Sequence, residues 1–159
     1  MDMAENLWYM GLALEEADKA YKKNEVPIGA IVVSQSQGIL AKTFNLKEST
    51  YDPCGHAELL ALAKAGLSQS NWRLTDCNIY VTLEPCPMCL SAMVQARIDT
   101  LVFGAYDLKG GALSLGYNLH NNPKLNHHFK IMGGVKHYAC SNVLSTFFRE
   151  KRSGFKQKY

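Results

Sequence analysis

The chain has 159 residues, 47% hydrophobic and 19% charged, with a formal net charge of +3, which suits one globular domain with a sizeable core and excludes a disordered or fibrous chain. No apolar run approaches the roughly 18 residues of a membrane span, and the acidic start Met1-Asp2-Met3-Ala4-Glu5 excludes a secretory leader. The five cysteines are odd in number and two of them form a C-x-x-C, so a disulfide framework is not expected and a reducing, cytoplasmic compartment is.

Residues 3–23 place Leu7, Met10, Leu14, Ala17 and Tyr21 at spacings of three and four, which predicts an amphipathic helix with these side chains on one face. Lys22-Lys23-Asn24 ends it, and Pro27 prevents continuation. Residues 28–34 are β-branched and almost uniformly apolar, as a strand covered on both faces would be. The turn Gln35-Ser36-Gln37-Gly38 then returns the chain as an antiparallel partner over 39–44. A polar loop over 45–55 leads to helical spacing from His56 to about Ala65, where Gly66 is the expected stop. A second loop, 67–76, carries Trp72 and Arg73, which with Trp8 are expected in the core or at a dimer contact. Strand 77–83, a turn at Pro85, a helix to about Arg97 and a short buried strand over 100–104 follow. Residues 105–127 are rich in glycine and asparagine and predict little regular structure; a loop that long in a small domain is more often functional than accidental. A last strand is expected over 129–135, weakened by Gly133-Gly134, and a final helix from Ala139 to about Ser153. With no internal repeat, this order describes a single three-layer α/β/α domain over 1–159 with a mixed five-stranded sheet.

Two short pieces carry the chemistry: His56-Ala57-Glu58 and Pro85-Cys86-Pro87-Met88-Cys89. One imidazole and two thiolates suit a tetrahedral zinc ion, Zn2+, and three protein ligands with one open position are the catalytic pattern rather than the structural one. Cys86 and Cys89 are three apart, so on a helix they share a face, and a helix N-terminus favours their thiolates. Glu58, two residues from the histidine, is placed to handle the proton of an acidified water and later to deliver it to a leaving group. The centre suits hydrolytic attack on an electron-poor carbon that bears an amine. A thioredoxin-like redox site fits the Pro-Met spacer and the distant H-x-E poorly. A zinc ribbon needs a second ligand pair, and Cys54, Cys77, Cys140 and His127-His128 offer no suitable spacing. Cys54 is expected to be a small buried residue, because as a fourth ligand it would close the open position.

H-x-E joined to P-C-x-x-C is the signature of zinc-dependent nucleobase deaminases. The chain resembles the bacterial tRNA-specific adenosine deaminase family, within the cytidine deaminase fold. The likeness rests on Glu25-Val26-Pro27-Ile28-Gly29-Ala30, the two metal pieces, Tyr80 to Cys89, Val102-Phe103-Gly104-Ala105, Leu125-Asn126-His127 and Phe147-Phe148-Arg149. The resemblance implies a homodimer that converts adenosine to inosine at the wobble position of a tRNA anticodon stem-loop. It further implies that Asn45 hydrogen-bonds the flipped base, that the backbone of Ala57 contacts its ring, and that Asp107 lies near the ribose. Asn126 and His127 are expected to reach RNA phosphate or base edges. From the residues alone, Asn45 is a turn former at the end of a strand. Cys54-Gly55 before His56 and Asn24 near the expected anticodon contact depart from the family pattern.

From Arg149 onward Arg149, Lys151, Arg152, Lys156 and Lys158 face one acid, Glu150, and alternate with Phe147, Phe148, Phe155 and Tyr159. Cations for phosphate and rings for stacking are expected of a loop or single-strand binder, with Phe148, Arg149 and Arg152 as contacts, while Phe147 or Phe148 taken alone reads as a core residue. A deaminase of free guanine, cytosine or a nucleoside shares the zinc centre but has no use for this tail. A zinc-stabilised RNA-binding module without catalysis has no use for Glu58.

Overall fold

The computed structural model describes residues 2–156, and its centre is a five-stranded sheet: β1 (Gly29–Ser34), β2 (Gly38–Phe44), β3 (Cys77–Leu83), β4 (Thr100–Ala105) and β5 (Lys130–Met132). Their order is β2-β1-β3-β4-β5; β1 is antiparallel to both β2 and β3, while β3, β4 and β5 run parallel. Four helices, α1 (Met3–Lys22), α2 (Ala57–Gln69), α3 (Pro87–Ala96) and α4 (His137–Lys156), cover both faces. The mixed three-layer architecture expected from the order of elements is the one observed.

The alternation along β1 assigns the layers. Ala30 and Val32 point to one face, with Ala57, Ala61 and Leu62 of α2 and Leu90, Met93 and Val94 of α3. Ile31 and Val33 point to the other, with Met10 and Ala13 of α1 and Cys140 and Leu144 of α4. Every residue of β1 is buried, as its unbroken apolar run predicts.

Several expectations are corrected. The inner face of α1 is Asn6, Met10, Ala13, Glu16, Ala17 and Ala20; Leu7 is exposed and Leu14 and Tyr21 are only partly covered. The helix is rotated because it lies so close to β1 that small residues must face the sheet. A Cβ on Gly29 would stand 2.0 Å from the Ala13 carbonyl oxygen and 2.6 Å from the Ala17 nitrogen. Gly66 does not stop α2: the helix continues to Gln69, and Ser70, at φ 49, closes it while the Asn71 N–H returns to the Gly66 carbonyl. β5 is confined to three residues and α4 begins at His137, two positions earlier than expected. Between β4 and β5 only one 3-10 turn, Leu119–Asn121, interrupts irregular backbone. Trp8 and Trp72 are 57% and 56% exposed, so neither is core; the Arg73 guanidinium stacks 4.2 Å from the Trp72 ring.

Candidate active site

The carboxyl end of β3 and the first turns of α2 and α3 converge. His56 is the N-cap of α2 and Cys86 the N-cap of α3, with Pro87 at the first helical position, where its missing N–H costs nothing. Cys89, one turn on, is fully buried. Thr43 Oγ1 of β2 donates to the Ala57 carbonyl at 2.8 Å, fixing the start of α2 against the sheet.

The three ligand atoms lie within 4.8 Å of one another. His56 Nδ1 is 3.5 Å from Cys89 Sγ and 3.7 Å from Cys86 Sγ. Around a tetrahedral zinc, nitrogen at about 2.0 Å and sulfur at about 2.3 Å stand about 3.6 Å apart, so the donor set fits this ion in chemistry and spacing. No fourth His, Cys, Asp or Glu joins the group among the described residues. Cys54, expected to be buried, is exposed instead. Asp52 accepts from both the Cys54 and Gly55 N–H groups, turning the Cys54 side chain out while Gly55 takes the buried position.

The electrostatics match a cation-binding centre. A hydrogen bond from the Cys89 thiol lowers Cys86 to about 5, so Cys86 holds the thiolate. Cys89 is pushed up by that same shared proton and by burial. A divalent cation reverses the second effect and ionises both. Glu58, in the first turn of α2, is 4% exposed and hydrogen-bonds Cys89. Burial pushes its carboxyl up to about 7, near the value a proton shuttle needs at neutral pH.

The remaining expected residues are spread over several elements. Asn45 is more than a turn former: it is buried at the end of β2, its amide donating to the Val26 carbonyl at 3.3 Å and its oxygen accepting from Lys47 N at 3.4 Å. Asp107 follows β4, and its Oδ1 accepts from Lys109 N and Gly110 N, closing a tight turn. Asp107 and Phe148, the latter 43% exposed, share an open groove of ≈ 530 Å³ with Val26, Leu83, Tyr106 and Leu108. Arg149 and Arg152 are exposed on the same helix as Phe148, while Phe147 is the phenylalanine of the pair that is buried, against Tyr21. Asn126 and His127 lie at the opposite end of α3 from Cys86. Arg97 donates to the Asn126 carbonyl, and the His127 ring bonds the Ile98 carbonyl at 2.7 Å, leaving the Asn126 side chain exposed. The side chains of Phe155, Lys156, Lys158 and Tyr159 lie outside the described ones.

Two buried carboxylates gain an importance that the sequence did not suggest. Glu25, fully buried, accepts from Glu48 N, Ser49 N and Ser49 Oγ and so anchors the 45–55 loop that leads to His56. Glu84, 2% exposed, precedes Pro85-Cys86 and binds the loop after β4. Both lie in segments that carry the family likeness, but read from the residues alone each is a charge beside an apolar strand, which reads equally well as a solvated strand end.

Residues 3–105 match the model of the cytidine and deoxycytidylate deaminase zinc-binding region. A tRNA-specific adenosine deaminase of Bacillus subtilis (strain 168) is 43% identical over 150 residues, 94% of this chain and 92% of that protein. The chain belongs to the tRNA-specific adenosine deaminase family. The Haemophilus influenzae (strain ATCC 51907 / DSM 11121 / KW20 / Rd) member is 42% identical over 143 residues, 90% of this chain and 83% of that one. A solved structure from work on A-to-I editing by tRNA:A34 deaminases at the wobble position of transfer RNA is similar with a TM-score of 0.80 at 36% identity. It covers 86% of this chain and 98% of that one. The fold is accordingly the cytidine-deaminase-like one, and the chain is a zinc-dependent hydrolytic deaminase.

Proposed function

We propose that this chain, one deaminase domain over residues 1–159, converts adenosine to inosine at the wobble position of a tRNA anticodon, acting as a homodimer in the cytoplasm. The observation that carries the reading is a three-ligand zinc geometry beside a buried carboxylate, in a chain 43% identical to a tRNA-specific adenosine deaminase over nearly its whole length. No helix of the described chain is long and apolar enough to cross a membrane.

His56, Cys86 and Cys89 would hold the zinc, which when bound would supply a Lewis acid that lowers the pKa of a water. Glu58 takes a proton from the attacking water and passes it to the purine ring nitrogen. The C6–O bond forms as that proton reaches the ring; the carboxylate then takes the remaining hydroxyl proton and delivers it to the amino group, the C6–N bond breaks, C6=O is left and ammonia departs. The first N–H groups of α2 have no acceptor inside the helix, so the Ala57 backbone is placed to meet the base. Asn45, its amide braced by Val26 and Lys47, is assigned to the extruded base and Asp107 to the ribose. Phe148 offers a stacking face across the groove from Asp107, and Arg149 and Arg152 offer charge to phosphate. Asn126 is assigned to the RNA backbone, with His127 holding its segment to Ile98. An anticodon loop lowers the cost of extrusion because its bases are already poorly stacked.

Zinc-replete protein incubated with an anticodon stem-loop carrying wobble adenosine, followed by mass, tests this. Free guanine, cytosine and cytidine run in parallel. Inosine in the RNA alone is the expected result. Ammonia from a free base alone would keep the zinc chemistry and remove the RNA substrate; unchanged RNA from zinc-replete protein would leave only an RNA-binding module.

A further inference from the structure

Glu84 and Pro85, the two residues that immediately precede Cys86, are also the points to which the loop after β4 is fastened. The Glu84 N–H donates to the Ala105 carbonyl at 2.8 Å, and the Pro85 carbonyl accepts from Ala112 N at 2.8 Å. The Glu84 side chain makes the remaining ties: Oε2 accepts from Asp107 N at 3.0 Å and from Ser114 Oγ at 2.7 Å, and Oε1 accepts from Ser114 N at 2.7 Å. The carboxylate is 2% exposed, so three protein donors have replaced its water. Gly111 lies flat against it, where a Cβ would stand 2.3 Å from the Glu84 carboxyl carbon. Only a group that accepts on both oxygens satisfies this arrangement; an amide in its place turns an N–H toward a backbone N–H.

The clamp acts on a residue assigned to the substrate. Asp107 is bonded through its backbone N–H to Glu84, and its own Oδ1 accepts from Lys109 N and Gly110 N, so the turn that orients its carboxylate starts from the Glu84 side chain. Tyr106, Asp107, Leu108 and Lys109 form one wall of the groove whose other wall is Leu144 and Phe148 of α4. We infer that Glu84 is a positioning residue for the RNA substrate: it sets Asp107 and the groove wall in register with the metal centre through the shared Glu84-Pro85-Cys86 backbone. This deepens the wobble-adenosine reading and rests on it for the identity of the substrate. The metal group itself does not need Glu84, whose carboxylate is not part of the ligand cluster.

The test uses Glu84→Gln, Asp107→Ala and the double variant, each loaded with zinc, with three readouts. Zinc content is expected to stay at the parent's level, and amide hydrogen exchange over residues 107–114 to rise at least tenfold. KM for the anticodon stem-loop is expected to rise about tenfold with kcat within about twofold, because Asp107 meets ribose rather than reacting atoms. If Glu84 works through Asp107, the double variant is no worse than Asp107→Ala. Multiplying KM effects in the double variant, lost zinc, or unchanged exchange in 107–114 would each overturn the proposal. Should Glu84→Gln fail to fold, Ser114→Ala removes one donor of the three, and a smaller rise in exchange and KM is expected; no rise would overturn it. If the parent leaves the RNA unmodified, the substrate reading fails, while the exchange readout still decides whether Glu84 orders the loop.

Discussion

Glu58 is the proposed proton carrier, and its burial allows two separate tests. Glu58→Ala is expected to keep its zinc, since the proposed ligands are His56, Cys86 and Cys89, and to lose about 10²–10⁴-fold in kcat. Metal analysis beside single-turnover kinetics checks both halves, and retained turnover would remove the assigned role. The second test is thermodynamic. Burial pushes the carboxyl up to about 7 from an ordinary 4.5. A value raised in the folded state contributes stability that is complete below the unfolded value and lost as pH rises through the folded one. In zinc-stripped protein, Glu58→Gln, neutral at every pH, therefore gains on the parent between 4.5 and about 7, by on the order of 3 kcal/mol. Urea midpoints at about pH 5 and about pH 8 measure this, and a pH-independent difference would contradict it. Zinc shrinks the gain by favouring the charged carboxylate. That His56, Cys86 and Cys89 come together with Glu58 beside them was legible in the sequence, because metal chemistry restricts residue type and spacing so tightly. Glu84 was not, since what it binds lies 23 and 30 residues further along the chain.

At the scale of elements, the instructive case is α1. Apolar spacing named Leu7, Met10, Leu14, Ala17 and Tyr21 as inward; Met10 and Ala17 are, yet Ala13 and Ala20 complete the buried face while Leu7 is exposed and Leu14 and Tyr21 are only partly covered. Hydrophobicity ranks leucine above alanine, but at the approach seen between α1 and β1 volume decides. Gly29→Ala is expected to cost about 1–3 kcal/mol or more, because the atoms its Cβ meets are backbone and cannot rotate aside. Leu7→Ala, on the exposed side, is expected to stay within about 0.5 kcal/mol. Thermal or urea unfolding of the pair checks the assignment; equal losses would restore the face read from the sequence. The β1–β2 hairpin and the buried strands β3 and β4 were legible from continuous apolar runs bounded by turn residues. The end of α2 was not, because Gly66 reads as a stop until the returning loop supplies Asn71 N–H to its carbonyl.

At the scale of the whole molecule, the formal charge of +3 is modest, and its placement matters more. Arg149, Lys151 and Arg152 are exposed on α4, whose Phe148 borders the Asp107 groove. Arg149→Glu with Arg152→Glu is expected to weaken anticodon stem-loop binding and to lower the slope of log affinity against log salt by about 1–2. Zinc content and fold should be unaffected, since both side chains are solvated. An unchanged slope would move the phosphate contact elsewhere.

The sequence by itself determined the reaction class and the three-layer architecture. Metal ligands and a proton carrier must be particular residue types at particular spacings, and strand and helix periods differ enough to be read directly. Tertiary structure alone decided which face of α1 is inside, that Cys54 points to solvent, and that Glu25 and Glu84 brace the two loops beside the zinc centre. Those outcomes depend on how closely segments distant in the chain approach, and no local pattern records that distance.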